Sequence, residues 1–117
     1  MNILMILNGA PYGNETTFNA LRLAMALQAD EAKPGLTLFL MADAVFCAMP
    51  GQMTPQGYYN IERMLKSLIA KGAKVSACSS CVQARGIMEL DLIEGVEMST
   101  MPQLAAIVVQ ADKVMNF

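Results

Sequence analysis

The feature that most constrains this chain is a pair of continuous apolar runs set apart by helical segments. Residues 2–7 (Asn-Ile-Leu-Met-Ile-Leu) and 36–41 (Leu-Thr-Leu-Phe-Leu-Met) show almost no polar alternation. A strand with one wet face alternates polar and apolar residues, whereas a strand buried on both faces reads as an unbroken apolar run. Burial on both faces requires cover on both faces. That requirement points to a mostly parallel sheet with helices packed above and below it.

The segments between and beyond these runs supply the helices. Asn14 is placed to cap the first, with Glu15 in its opening turn, and the pattern continues to about Asp30. Phe18, Leu21, Met25 and Gln28 share a face, but Ala20, Leu23, Ala24 and Leu27 spread apolar surface around most of the cylinder. Lys33-Pro34-Gly35 breaks it, and a helical turn is expected at 45–49, followed by a loop over 50–57. Residues 58–71 form the cleanest amphipathic pattern, with Ile61, Met64, Leu65, Leu68 and Ile69 inward and a Glu62–Lys66 pair on the outer face.

A strand at 74–77 then leads to Cys78, a short helix with Ser79 as its cap, and closure at Gly86. Segment 87–94 has no clear period, and its Leu90, Leu92 and Ile93 are expected in the core. A strand at 96–98, a capping box between Thr100 and Gln103, a helix through Gln110 and a final strand at 113–117 complete the chain. Pro102 is tolerated in that helix's first turn. The reading is α/β: a three-layer α/β/α sandwich around a mostly parallel five-stranded sheet, in one domain spanning 1–117.

Charge and composition exclude some classes of function. The net charge is −2, the pI is about 4.9, and no basic cluster is present, so direct nucleic-acid binding is not expected. The longest apolar tract, 36–49, is broken by Thr37 and Asp43 and falls short of the ~20 residues of a membrane span. The start of the chain lacks the cationic segment of a secretion signal. Three cysteines cannot all pair within one chain, so a cytoplasmic protein with reduced thiols is expected. Apolar residues make up 55% and charged residues 15%, against averages of roughly 45–50% and 25%. A rich core is one explanation. Buried subunit interfaces are the other, and they favour a homo-oligomer. The 11 methionines suit either.

Ligands of open parallel sheets bind beyond the carboxyl ends of the strands. Three loops are expected there: one with Asn8, Gly9, Tyr12 and Gly13, one with Asp43, and one with Cys78. The first offers backbone N–H groups to an anion but lacks the spacing of a nucleotide-binding loop, and an ordinary turn explains it equally. Asp43 either tunes the site or caps a turn. Cys78-x-x-Cys81 admits a redox dithiol, a metal half-site, a sulfur carrier, or inert core thiols. The metal reading lacks a second pair, since Cys47 sits among Val45, Phe46 and Met49 and reads as core. No metal or cofactor is therefore expected. The chain has no histidine, so activation of Cys78 must come from exposed N–H groups and nearby charge, including Arg85.

Four segments taken together resemble the DsrE/DsrF-like family, on its YchN-like branch. They are Asn8-Gly9-Ala10-Pro11-Tyr12-Gly13, Leu40-Met41-Ala42-Asp43-Ala44-Val45, Cys78 eight residues before Gly86, and the ending Ala111-Asp112-Lys113-Val114-Met115-Asn116-Phe117. The resemblance spans nearly the whole chain and rests on the order and spacing of these segments. It implies an α/β/α sandwich assembled as homotrimers or homohexamers. It also implies a role in sulfur relay, with sulfane sulfur received as a persulfide on Cys78 from a donor protein and passed to an acceptor. Cys81 departs from many sulfur-carrying members. It is either a resolving thiol that attacks the persulfide's inner sulfur or a packing residue beside Val82. The competing function is a non-catalytic homo-oligomeric module binding a small anion or nucleotide near Asn8, Gly9, Tyr12 and Asp43.

Overall fold

In the computed structural model, which describes residues 1–56 and 59–117, the apolar runs are adjacent strands of one parallel sheet. The elements are β1 (Asn2–Leu7), α1 (Thr16–Ala29), β2 (Gly35–Leu40), a 3-10 helix (Ala42–Ala48), α2 (Ile61–Ala70), β3 (Lys74–Cys78), α3 (Ser79–Ala84), β4 (Val96–Ser99), α4 (Met101–Gln110) and β5 (Lys113–Asn116). Expected boundaries at Gly57 and Tyr58 lie outside the described residues.

The strand order is β4-β3-β2-β1-β5, with every pairing parallel. The chain steps outward from β1 to β4, then crosses back to lay β5 on the far side of β1. Right-handed crossovers place the helices of the outward path on one face and α4 on the other. Paired residues of parallel strands share a face. Ile3, Met5 and Leu7 of β1 thus lie beside Leu36, Leu38 and Leu40 of β2, and all are buried under the α1/α2 layer. On the opposite face Leu4 and Phe39 are fully buried, while Thr37 and Ser76 are only half-buried. This second face is covered by the single helix α4. Beside α4 runs an open cleft of about 620 Å³, lined by Thr37, Lys74, Ser76, Glu97, Gln103 and Gln110 among others.

Several local expectations change. Glu15, not Asn14, is the residue before α1, and the Asn14 side chain accepts instead from the Thr16 N–H at 3.0 Å. Leu90 is exposed rather than core, although Ile87 and Ile93 of the same segment are buried. The Glu62–Lys66 pair forms at 2.8 Å but is not on an outer face. Glu62 is only 8% exposed because the 49–56 loop folds over it and the Gln52 N–H donates to its carboxylate at 2.8 Å. The Lys66 bond, and then the Gln52 bond, hold this carboxyl below its ordinary range. At α4 the capping box forms between Thr100 and Gln103, with proline in the first turn.

Candidate functional site

Cys78 is the last residue of β3 and is followed at once by α3. It is also that helix's cap. The expected cap, Ser79, is instead the first helical residue, and the Cys78 sulfur accepts from the Cys81 N–H at 3.3 Å. A sulfur in this position takes over the role of a capping oxygen: it satisfies one of the N–H groups that a helix start leaves without a partner. The Ser80 hydroxyl lies 3.3 Å from the same sulfur. Cys78 is 4% exposed. Burial alone would push its thiol up. Hydrogen bonds from the Cys81 side chain, the Ser80 side chain and the backbone N–H groups of both outweigh it, and the thiol titrates below its ordinary value.

Cys81 takes the opposite role. Burial raises its thiol, and so does donating its proton to Cys78. It is half-buried and so more open than Cys78. It packs against the core, and its sulfur also accepts from the Ala42 N–H at 3.3 Å. Ala42 has φ +52°, a left-handed conformation unfavourable for a residue with a Cβ. The chain turns through it immediately after β2, and this turn aims the N–H at α3.

Arg85 holds this junction together. Its Nε and Nη2 each lie 2.9 Å from Asp43 Oδ1, and its Nη1 donates to the Cys81 carbonyl at 3.1 Å. The last contact occupies a carbonyl at the helix end, and Gly86, at φ +70°, then turns the chain away. The positive charge of Arg85 favours the thiolate of Cys81, whereas the sequence suggested Cys78 as its target.

The other sequence-picked residues are placed separately. The Asn8 side chain donates to Asn116 Oδ1 at 2.7 Å and to the Phe117 carbonyl at 2.9 Å, tying the end of β1 to the end of β5. The Gly9 carbonyl accepts from the Thr17 hydroxyl at 2.9 Å, and a Cβ at Gly9 would meet that oxygen at 3.2 Å. The Tyr12 hydroxyl donates to Gln52 Oε1 at 2.7 Å and accepts from the Ile61 N–H at 3.2 Å, so it organises the start of α2. Asp43 alone of this group is drawn to the cysteine helix. The cleft beside α4 is lined by neither Cys78 nor Cys81. Cys47 is fully buried in the core, and burial pushes its thiol up to about 12. Among the described residues, no three His, Cys, Asp or Glu side chains gather as a metal-binding set.

Two interactions at this site escaped the sequence reading. A cysteine can cap a helix, but the cap preferences that guide sequence reading favour Ser, Thr, Asp and Asn, and this drew attention to Ser79. The Ala42 N–H had no signal at all, since positive φ normally announces itself through Gly or Asn.

The DsrE/DsrF-like family profile matches residues 1–117. Protein YchN of Escherichia coli (strain K12) is 48% identical over 115 residues, covering 98% of this chain and 97% of its own. An uncharacterized protein of Methanopyrus kandleri is 39% identical over 117 residues, covering 98% of this chain and 93% of its own. The crystal structure of the E. coli YchN protein superposes with a TM-score of 0.94 at 47% identity, over 99% of this chain and 98% of that one. A conserved protein of unknown function from Bacteroides thetaiotaomicron shares the fold, with a TM-score of 0.68 at 16% identity.

Proposed function

Because the chain belongs to the DsrE/DsrF-like family, a family related to sulfur relay, we propose that it carries sulfane sulfur as a persulfide on Cys78. The carrying observation is the Cys78 sulfur itself, which caps α3 and collects the Cys81 N–H and the Ser80 hydroxyl, each at 3.3 Å. A thiolate is the nucleophile toward sulfane sulfur, and these donors stabilise a thiolate without a histidine. The same donors can take up the charge of the bound persulfide. The low exposure of Cys78 is the one observation that favours the competing small-ligand module. Against that module stand the prior engagements of Asn8, Tyr12 and Asp43 with other parts of the chain.

The proposed partners are a protein that donates sulfane sulfur, a protein that accepts it, and further copies of this chain. Self-association draws support from α4. No charged residue occurs in Met101–Gln110, and Met101, Val108 and Val109 are exposed on it. A helix apolar on all sides is usually buried on all sides. Among the described residues no helix is long and apolar enough to cross a membrane. We place the relay in the cytoplasm, where thiols stay reduced. Intact mass after incubation with glutathione persulfide tests the carrier. With Cys81 replaced by serine, the chain should gain one sulfur, and the further change Cys78→Ser should abolish the gain. No gain with several competent donors would refute the carrier reading.

A further inference from the structure

We propose that Cys78 and Cys81 act as a dithiol that discharges sulfane sulfur as hydrosulfide, with Cys81 as the resolving thiol. This discharge rests on the carrier reading and comes after loading. In the first step the Cys78 thiolate attacks the outer sulfur of a donor persulfide, takes that sulfur, and releases the donor thiolate. In the second, the Cys81 sulfur attacks Cys78 Sγ, the inner sulfur of the new persulfide. The bond from Sγ to the outer sulfur breaks, and the outer sulfur leaves as hydrosulfide with the Cys81 proton. A Cys78–Cys81 disulfide remains. One sulfane sulfur is reduced to sulfide and two thiols are oxidised, so no outside oxidant is needed.

Four observations bring this step within reach. The backbone N–H of Cys81 donates to Cys78 Sγ at 3.3 Å, which fixes the first turn of α3 around the two cysteines. Residues so spaced lie close to the Cα separation of a disulfide, about 4.4–6.8 Å. The Cys81 thiol itself carries the proton that the departing sulfur takes up, so the step needs no histidine, of which the chain has none. The Ala42 N–H, delivered from a left-handed alanine, sits 3.3 Å from Cys81 Sγ, where it stabilises negative charge as that proton leaves. Arg85, anchored by Asp43 and bonded to the Cys81 carbonyl, adds a fixed positive charge beside the same residue.

The burial order suits recovery of the dithiol. Cys81 is the more open sulfur of the pair. A small dithiol reductant attacking there expels Cys78 as thiolate, and the more acidic thiol of a disulfide is the better leaving group. The reductant's second thiol then frees Cys81.

The test uses the reduced full chain, one equivalent of glutathione persulfide, and no other reductant. Released hydrosulfide and intact mass are followed together. Wild type should release hydrosulfide and become lighter by two hydrogens, a change that dithiothreitol reverses. Cys81→Ser and Cys81→Ala should each hold the added sulfur on Cys78 and release none. Agreement between these two variants, both with native circular dichroism, assigns the effect to the lost thiol and not to misfolding. If wild type keeps the sulfur on Cys78 as long as the variants do, the resolving step is refuted and the carrier stands. Sulfur mapped to Cys81 would also refute it, since the attack would then have fallen on the outer sulfur. Absence of any gain in the variants, with no hydrosulfide from wild type, would overturn both.

Discussion

Replacing Arg85 with alanine should separate the two thiols electrostatically. The guanidinium makes two contacts of 2.9 Å to Asp43 and one of 3.1 Å to the Cys81 carbonyl. The Asp43 side chain is 59% exposed, so the ion pair is worth only about 0.5–1 kcal/mol. The bond to the Cys81 carbonyl is charge-assisted and partly buried, worth about 1.5 kcal/mol. Together Arg85→Ala should cost about 2–2.5 kcal/mol, lowering the urea midpoint by about 1–2.5 M at a slope of about 1–2 kcal/mol/M. Arg85→Lys keeps the charge but not the planar fork, and should recover less than half of the stability. Site-resolved alkylation across pH supplies the second readout. Cys81 should titrate higher than in wild type, because a neighbouring positive charge has gone, while Cys78 should keep its profile. A stability loss below about 0.5 kcal/mol would refute the packing argument. A shift at Cys78 with Cys81 unmoved would refute the electrostatic one.

Three other outcomes are expected of the same structure. Glu62→Gln should cost roughly 1 kcal/mol at neutral pH. Because the folded-state pKa of Glu62 lies below its unfolded value, its contribution is complete above about pH 4.3 and is lost as pH falls through the folded pKa. Acid titration of stability should therefore bring wild type and Glu62→Gln together, and a constant gap would contradict this. Cys47→Ser puts a hydroxyl into a fully buried site and should cost about 1–3 kcal/mol, yet leave sulfur loading of the folded protein unchanged; lost loading would give Cys47 a part in the chemistry. Val109, 86% exposed on a charge-free helix, should be an interface residue. Light scattering should show an oligomer for wild type and a chain of 12.6 kDa for Val109→Glu, and an unchanged oligomer would remove this face from the interface.

The sheet was legible because burial on both faces leaves no room for alternation, so runs such as Ile3–Leu7 announce β1 directly. The end of β3 and the closure at Gly86 were equally readable, which put Cys78 in place. The interactions that differentiate the cysteines were not. Whether Arg85 acts on Cys78 or Cys81 depends on where the 3-10 helix sets Asp43, and no local pattern encodes that distance. The spacing of Glu62 and Lys66 predicts their pairing, but it says nothing of Gln52 lying over the carboxylate. Tyr12 stood in a glycine-rich loop and looked free to bind, yet its hydroxyl meets partners at Gln52 and Ile61, 40 and 49 residues away. Leu90 was assigned to the core on hydrophobicity alone, which fixes neither face nor depth in an irregular segment.

The central claim is that this fold sorts three chemically identical thiols into a more acidic one, a less acidic neighbour and an inert core group. The direct measurement is site-resolved alkylation of the reduced wild-type chain with iodoacetamide across pH, with Cys47 followed by its own peptide and Cys78 and Cys81 distinguished by fragmentation of the peptide they share. Cys78 should titrate below the ordinary thiol value, Cys81 above it, and Cys47 should remain unmodified while the chain is folded. Cys81 titrating first, or Cys78 titrating above the ordinary value, would contradict the account.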